Sequence, residues 1–176
     1  MTRGELEHAI RAACDVTGDT ELWIFGSQAI LGQYPRAPEA LRQSAECDVA
    51  PKNRPEKVDL LDAVLGELSQ FHRTHGFYVH GISTEAATLP QGWQERAVKV
   101  QNENTRQYAG YCVEAHDLAA SKLVAFRDKD RSFVRVLLSE RLVSAETLLD
   151  RIRNLEPLEE RERLVRWVNS IRQDLT

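Results

Sequence analysis

The sequence IFGSQAILGQ, residues 24–33, passes from a short apolar run into a helical pattern through a Gly-Ser pair. The run Leu22–Phe25 predicts a buried strand, because consecutive apolar residues that end at a turn signal fit a covered strand. Gly26 permits a tight turn, and Ser27 is a good N-cap, since its hydroxyl can accept a hydrogen bond from a backbone N–H. This pattern is typical of an ordinary strand-to-helix turn and also of a cradle for phosphate.

The length and composition of the chain are those of one soluble globular domain. It has 176 residues, 42% hydrophobic and 28% charged, which is enough to bury a core without disulfides. No apolar run approaches the roughly 20 residues of a membrane span, and MTRGELEHAIRAAC at the N-terminus lacks the pattern of a signal peptide. We therefore expect a cytoplasmic protein without membrane contact. Widely spaced cysteines without a CxxC pair predict buried thiols rather than a disulfide framework or a zinc site: Cys14, Cys47 and Cys112.

Charge is unevenly distributed along the chain. The net charge is −4, which argues against bulk nonspecific affinity for nucleic acid. The stretch from His116 to Arg141, however, has six basic and four acidic residues. Such a local excess of positive charge is typical of a solvated helix face or of a site for a polyanion, and both interpretations stay open.

Hydrophobic periodicity predicts short strands mixed with helices, followed by a C-terminal third that is entirely helical. Strands are predicted up to Phe25 and over 46–50, 77–82, 97–101 and 108–114. Helices are predicted over 4–16, 56–72, 116–127, 130–141, 144–154 and 158–174, with a helical piece near 39–43 and with Pro157 beginning the last helix. Inward-facing positions of the helix over 56–72 are Val58, Leu61, Leu65, Leu68 and Phe71. This order of elements predicts the α+β class, and the order of the strands in the sheet does not follow from it.

Two acidic residues, Glu46 and Asp48, alternate on the predicted strand 46–50. Their side chains share one face, with Cα atoms roughly 6–7 Å apart, while Cys47 and Val49 point to the other. Two like charges on a short, mostly apolar strand repel each other unless a cation or a proton lies between them. The pair therefore indicates either a solvent-facing edge strand or a Mg²⁺ site, since hard divalent cations bind carboxylate oxygens.

The order strand, Gly-Ser, helix, strand and [DE]xD resembles the signature of the polymerase-β-like nucleotidyltransferases. Five ordered blocks over about 20–140 extend this resemblance to a family of small bacterial nucleotidyltransferase-like proteins, DUF6036. The family is similar in outline to the AbiEii- and MenT-type toxins, in which Asp stands at the position of Glu46. The blocks are GSQAILGQ, Pro38, SAECDVAP, LPQGWQER (89–96) and HDLAASKLVAFRDKDRSFV (116–134).

The resemblance implies a nucleotidyltransferase-like mixed sheet flanked by helices over 1–141, with a helical C-terminal extension over 142–176 packed on it. It implies an enzyme that moves a nucleoside monophosphate from an NTP to an acceptor, with Mg²⁺ or Mn²⁺ as cofactor. Gly26 and Ser27 would bind the triphosphate, because free N–H groups at a helix start can hold phosphates. The metal would be held by Glu46 and Asp48.

Residues of the last block are assigned on the same resemblance. Lys122 would neutralise the triphosphate, although a lone helix lysine is usually solvated, and Asp117 is expected to cap its helix. Arg127 and Arg131 would bind phosphates. Asp130 is open between metal ligand, general base and helix cap.

A third carboxylate usually comes from a later strand in polymerase-like sites. Glu114, at the end of the strand over 108–114, is therefore a metal candidate beside Asp130. Trp93 and Arg96 are expected to be structural, although Arg96 also fits a cleft-facing position. No histidine receives a role, because the sequence has no HxxxH or HxH spacing.

The acceptor and the partners are implied only by the toxin-like relatives. They imply RNA, especially the 3′ end of a tRNA, and a cognate antitoxin or toxin partner, and an oligomer is compatible with the charged C-terminal helices. Two alternatives stay open: the same chemistry on a small molecule such as an aminoglycoside, and a catalytically silent scaffold that binds nucleotide or a partner.

Overall fold

The computed structural model describes residues 1–155 and 161–175, and it confirms the predicted combination of a mixed sheet with helices. Contacts within the chain define two units. Unit 1 comprises Met1–Ala87 and Ala97–Glu114, and unit 2 comprises Thr88–Arg96 and Ala115–Thr176. The division of the sequence at residue 141 stays a prediction.

Unit 1 is built on a five-stranded sheet with the order β3-β2-β1-β5-β4. Strand β1 pairs with β2 in antiparallel and with β5 in parallel orientation, β2 with β3 in parallel, and β4 with β5 in antiparallel. All five predicted strands are confirmed: β1 Glu21–Phe25, β2 Glu46–Pro51, β3 Tyr78–Gly81, β4 Val98–Val100 and β5 Ala109–Cys112.

The described helices match the predicted order except that α3 and α4 replace one predicted helix and that α5 was not predicted. They are α1 Arg3–Thr17, α2 Ile30–Gln33, α3 Val58–Leu65, α4 Gln70–His75, α5 Trp93–Arg96, α6 Ala115–Ala125, α7 Asp128–Ser139, α8 Ala145–Arg153 and α9 Arg161–Asp174. Short 3₁₀ turns lie at Ser27–Ala29, Glu39–Leu41, Pro55–Lys57 and Thr84–Ala86. The predicted start of the last helix at Pro157 lies outside the described residues. In the part of the chain that the structure describes, no helix combines the length and apolar composition that crossing a membrane requires.

Helix α1 and the inner face of the sheet form the core of unit 1. The apolar stripe of α1 is fully or almost fully buried at Leu6, Ile10, Ala13 and Cys14. The side chain of Ile10 lies close to Gly110 of β5. A Cβ added to Gly110 would lie 2.5 Å from Cδ1 of Ile10. Because side chains alternate along a strand, every second residue of β1, β2 and β3 projects from the opposite, outer face of the sheet.

The predicted single helix over 56–72 is wrong, because α3 ends at Leu65 and α4 begins at Gln70. Gly66 follows the last residue of α3, and the hydroxyl of Ser69 accepts a hydrogen bond from the backbone N–H of His72 at 3.1 Å. The connection gives Leu68 a φ of 65° and leaves it 72% exposed. Among the positions predicted to face inward, Leu61 and Leu65 are buried, Val58 and Phe71 are half-buried, and Leu68 is exposed.

Unit 2 is helical, with α6 packed against α7 and α8, and α8 packed against α9. Its apolar side chains at Leu123, Leu137, Leu148 and Ile152 are fully buried. Val168 and Ile171 of α9 are also buried. The helical C-terminal third is thus confirmed over the described residues.

The cysteines are free and buried, as their spacing predicts. Burial raises the pKa of the Cys14 and Cys112 thiols to about 12, and burial also raises that of Cys47 well above its usual value. Because the thiolate is the reactive form, we expect all three thiols to react slowly with a disulfide reagent such as Ellman's reagent at pH 7.5. All three should react at once in denaturant, and a fast-reacting thiol in the native protein would contradict this burial.

Candidate metal centre

Strand pairing brings residues from three segments to one place on the outer face of the sheet. Asp48 of β2 is the Cα partner of Phe25 on one side and of His80 on the other. Partners across a ladder share a face, so these side chains project to the same side, together with Glu46. Cys47 points to the core and is fully buried, which confirms the predicted alternation of the acidic pair.

Glu46, Asp48 and His80 form a group with the composition of a metal site. One carboxylate oxygen from each acid and one ring nitrogen of the histidine lie within 4.8 Å of one another, and each residue is half-buried. Within residues 1–155 and 161–175, this is the one group of three such side chains that meets in this way. Carboxylate oxygens fit a hard divalent cation, so the donor set suits the cofactor that the sequence predicts.

His80 was missed by sequence reasoning, which assigned no histidine a role. The parallel pairing of β3 with β2 brings it to the acids, and no local spacing encodes that pairing. Its Nδ1 lies 2.9 Å from Oδ1 of Asp62 in α3. This hydrogen bond raises the pKa of His80, and the charges of Asp62, Asp48 and Glu46 add to the rise while partial burial opposes it.

The turn after β1 approaches the acidic pair closely at Gly26. This residue has φ 63°, and a Cβ added to it would lie 1.9 Å from Oδ2 of Asp48. Only glycine fits at this position without moving neighbouring atoms. Other residues rarely adopt a positive φ, and any side chain would collide with the Asp48 carboxylate. The Gly-Ser turn and the acidic strand are therefore fitted to each other.

The predicted N-cap role of Ser27 is wrong. The 3₁₀ turn Ser27–Ala29 has Gly26 as its N-cap and no side-chain capping bond, so Ser27 is already the first residue of the turn. Gln28 instead joins this turn to β2. It is fully buried, and its Nε2 donates to the carbonyl oxygen of Ser44 at 3.0 Å, while the Ser44 hydroxyl accepts from the Glu46 N–H at 3.1 Å.

The fit between Gly26 and Asp48 makes a testable prediction. We expect Gly26→Ala to displace the Asp48 carboxylate and to weaken divalent-metal binding by at least about tenfold, because a misplaced ligand no longer meets the geometry of the ion. Isothermal titration calorimetry with Mn²⁺ measures the effect.

Gly76→Ala is the matched control for that substitution. Gly76 also has a positive φ, 76°, but a Cβ there would meet nothing within 4 Å. This variant therefore introduces the backbone strain without the collision. Equal metal affinity in the two alanine variants would contradict the proposed role of the close approach.

Glu114, the other predicted metal ligand of unit 1, is not part of the group of three. It follows β5, where it is half-buried. Burial, and secondarily the charge of Glu114, raises the pKa of Tyr34. Its role as a metal ligand stays a prediction.

Two of the three predicted cations of unit 2, Lys122 and Arg127, lie beside Asp130, which is 1% exposed. Arg127 donates from Nε to Oδ2 at 2.6 Å, and Nζ of Lys122 lies 3.6 Å from Oδ1 and 4.5 Å from the centre of the Phe133 ring. Burial raises the pKa of Asp130. The hydrogen bonds of Arg127 and the charges of Lys122 and Arg127 lower this pKa by more, so it lies below its usual value.

The helix-cap interpretation of Asp130 is supported by its backbone contact. Its Oδ2 accepts a hydrogen bond from the N–H of Arg127 at 3.3 Å, at the start of α7. Its roles as metal ligand or base, and the phosphate roles of Lys122, Arg127 and Arg131, stay predictions. Arg131 itself donates to the carbonyl oxygen of Phe126 at 2.9 Å and pairs with Asp128.

The predicted cap role of Asp117 is wrong, because α6 begins two residues earlier at Ala115. Asp117 is fully buried and binds two arginines of unit 2. Arg96 donates to both of its oxygens, at 2.8 and 3.0 Å, and Nε of Arg151 lies 2.9 Å from Oδ1. Arg96 therefore has a structural contact, as the sequence predicts, and its alternative cleft-facing position stays a prediction.

Comparison with known proteins gives one match. No curated protein and no solved structure matches the chain. The family model described as "Nucleotidyltransferase of unknown function (DUF6036)" matches residues 5–171, almost the whole chain. The chain therefore belongs to the DUF6036 family of nucleotidyltransferases of unknown function.

Proposed function

We propose that this protein transfers a nucleoside monophosphate from an NTP to an acceptor, using a divalent cation, Mg²⁺ or Mn²⁺, held by Glu46 and Asp48. The observation that carries the proposal is the approach of the Gly26 turn to the acidic pair, where a Cβ would lie 1.9 Å from Oδ2 of Asp48. Membership of a nucleotidyltransferase family supports the same chemistry.

The reaction exchanges one bond at phosphorus for another. An acceptor oxygen forms a bond to the α-phosphorus of the NTP, and the bond from that phosphorus to the α,β-bridging oxygen breaks. Pyrophosphate leaves with the electron pair of that bond, and the proton of the acceptor hydroxyl passes to a carboxylate or to water. A bound divalent cation would supply charge neutralisation on the phosphates and a lower pKa for the attacking hydroxyl.

The residues of the chain contribute mainly position and charge. Glu46 and Asp48 would hold the cation. The backbone of Gly26 and Ser27 would lie close to the phosphates that the cation binds. Positioning and preorganised charge are the principal means by which proteins accelerate phosphoryl chemistry. Lys122 and Arg127 are proposed to neutralise the triphosphate, and Glu114 or Asp130 to complete the acidic set.

RNA is the acceptor we propose, with the 3′ end of a tRNA as the first choice. The support is the excess of basic over acidic residues between His116 and Arg141, since phosphate contacts by Lys and Arg dominate the affinity for nucleic acid. By analogy with the toxin families that the sequence resembles, we also propose a toxin–antitoxin role with a cognate antitoxin or toxin as partner. We also propose a cytoplasmic location.

The test is incubation of the protein with each of the four α-³²P-labelled NTPs, Mg²⁺ or Mn²⁺, and total bacterial RNA. Label in the RNA with one or more NTPs is the expected result, and gel position identifies tRNA. Label in a small molecule such as an aminoglycoside would overturn the RNA acceptor and keep the transfer. NTP binding without any transfer to RNA, to small molecules or to protein would overturn the enzyme in favour of a silent scaffold.

A further inference from the structure

We propose that His80 is the third ligand of the cation held by Glu46 and Asp48, and that its imidazole makes the site prefer a first-row transition ion such as Mn²⁺ to Mg²⁺. The inference deepens the proposed function, on which it rests for the metal-binding role of the two carboxylates. It adds a nitrogen ligand to the carboxylates of the proposed site, at a residue to which the sequence assigned no role.

The placement of His80 follows from the sheet. In the parallel pairing of β2 with β3, His80 is the Cα partner of Asp48, so its ring lies on the same face as both acids. The three donor atoms lie within 4.8 Å of one another. Two ligands bound to one ion at about 2.2 Å each are at most about 4.4 Å apart, so small side-chain rotations suffice to close the group around an ion.

Asp62 determines which ring nitrogen His80 presents. The 2.9 Å contact between Nδ1 of His80 and Oδ1 of Asp62 assigns the Nδ1 proton to this hydrogen bond. A neutral imidazole with its proton on Nδ1 has an acceptor lone pair on Nε2, which is then the nitrogen available to a metal. Metal-binding histidines commonly donate their other N–H to a carboxylate in this way, and the carboxylate fixes the ring and strengthens the ligand.

The Asp62–His80 contact has little value as a stabilising ion pair. The side chain of His80 is 45% exposed, and that of Asp62 is 47% exposed. Exposed pairs of this kind contribute about 0–1 kcal/mol to stability. Helix α3 is nevertheless held close to β3, since a Cβ on Gly81 would lie 2.5 Å from the carbonyl oxygen of Val58. The contact is therefore better explained by orientation of the ring, which makes Asp62 a positioning residue.

The imidazole ligand determines the choice of ion. Mg²⁺ binds oxygen ligands almost exclusively in near-ideal octahedral geometry, and it exchanges water for nitrogen ligands poorly. First-row transition ions accept imidazole together with carboxylates, with affinities that increase along the series from Mn²⁺. A set of two carboxylates and one imidazole therefore favours Mn²⁺ over Mg²⁺ more strongly than carboxylates alone.

The test measures metal binding without nucleotide, by calorimetry with Mn²⁺ and separately with Mg²⁺ at one fixed pH. For the wild type we expect a Kd for Mn²⁺ at least about tenfold below that for Mg²⁺. His80→Ala should weaken Mn²⁺ binding by about 10–100-fold and change Mg²⁺ binding by less than about threefold. His75→Ala, an exposed histidine of α4, is the matched control and should leave both affinities unchanged.

A spectroscopic measurement separates ligation from a structural effect of the mutation. Electron spin echo modulation of bound Mn²⁺ detects directly coordinated ¹⁴N, and we expect this signal in the wild type and in His75→Ala but not in His80→Ala. Asp62→Asn should keep the signal and weaken Mn²⁺ binding, since the ring remains but loses its anionic partner. Persistence of the ¹⁴N signal in His80→Ala, or equal Mn²⁺ affinities in wild type and His80→Ala, overturns the inference.

The outcomes distinguish this inference from the proposed function. Loss of the ¹⁴N signal in His80→Ala, in a protein that transfers no nucleotide, would keep the ligand and overturn the function. Transfer supported equally by Mg²⁺ and Mn²⁺ in both wild type and His80→Ala would keep the function and overturn the ligand. His80→Asp, which restores an oxygen donor, should reduce the preference for Mn²⁺ to that of an all-carboxylate site.

Discussion

Asp48→Asn is expected to lower the rate of nucleotidyl transfer by about 10³-fold, which corresponds to a loss of about 4 kcal/mol of transition-state stabilisation. The amide has nearly the size of the carboxylate, so the contact with the Gly26 turn is retained while the charge is removed. Without that charge, Glu46 and His80 would no longer hold a divalent cation tightly. The measurement is the initial rate of label transfer from the α-³²P NTP at one fixed metal concentration, which just saturates the wild type.

Asp59→Asn is the matched control for Asp48→Asn, because Asp59 is an exposed carboxylate of α3 outside the group of three. Its transfer rate should equal that of the wild type. Thermal unfolding of both variants shows whether the protein remains folded. A folded Asp48→Asn protein with more than about a tenth of the wild-type rate would contradict the assignment of Asp48 as a metal ligand.

Asp117→Asn is expected to lower the free energy of unfolding by about 3 kcal/mol, the lower end of the range for breaking a buried ion pair. Asp117 is fully buried between Arg96 and Arg151, so its removal leaves two guanidinium groups without their anion. The arginine side chains remain 28% and 23% exposed, and solvent therefore moderates the loss. Urea denaturation followed by circular dichroism measures it.

Asp150→Asn provides the corresponding control on a neighbouring helix. Asp150 pairs with Arg153 of α8, and both side chains are more than half exposed, at 57% and 62%. An exposed pair of this kind contributes less than about 1 kcal/mol. If the two asparagine variants unfold at the same urea concentration, the buried position of Asp117 has no special importance for stability.

The parts of the site that could be predicted from the sequence are those determined by local geometry. A period of two along β2 places Glu46 and Asp48 on one face whatever the strand pairs with. Gly26 after a buried strand predicts a tight turn in the same way. These local patterns gave the acidic pair and the turn that lies beside it, and the structure contains both.

The parts that could not be predicted depend on pairing between distant segments. His80 joins the acids only because β3 pairs with β2 in parallel register, and strand order does not follow from the sequence pattern. The two arginine partners of Asp117 are likewise 21 and 34 positions away in the chain. The helix begins two residues before Asp117, and a sequence pattern does not locate a helix end to within one or two residues. The sequence therefore suggested only a capping role for this aspartate.

The break between α3 and α4 is encoded locally, although the helix predicted over 56–72 runs across it. The periodic apolar residues from Val58 to Phe71 predict one helix, yet Gly66 and Ser69 are typical end and start signals. The structure uses both signals, and Leu68 between them is exposed. Stop and start residues thus outweighed hydrophobic periodicity over this segment.

The most direct test of the central claim is a crystal structure of the protein with Mn²⁺ and a non-hydrolysable α,β-methylene NTP, using anomalous scattering to locate the ion. We predict an anomalous peak about 2.1–2.2 Å from carboxylate oxygens of Glu46 and Asp48, with the triphosphate bound to the same ion beside Gly26. A triphosphate and an ion bound together elsewhere, with no peak between the two carboxylates, would contradict the claim.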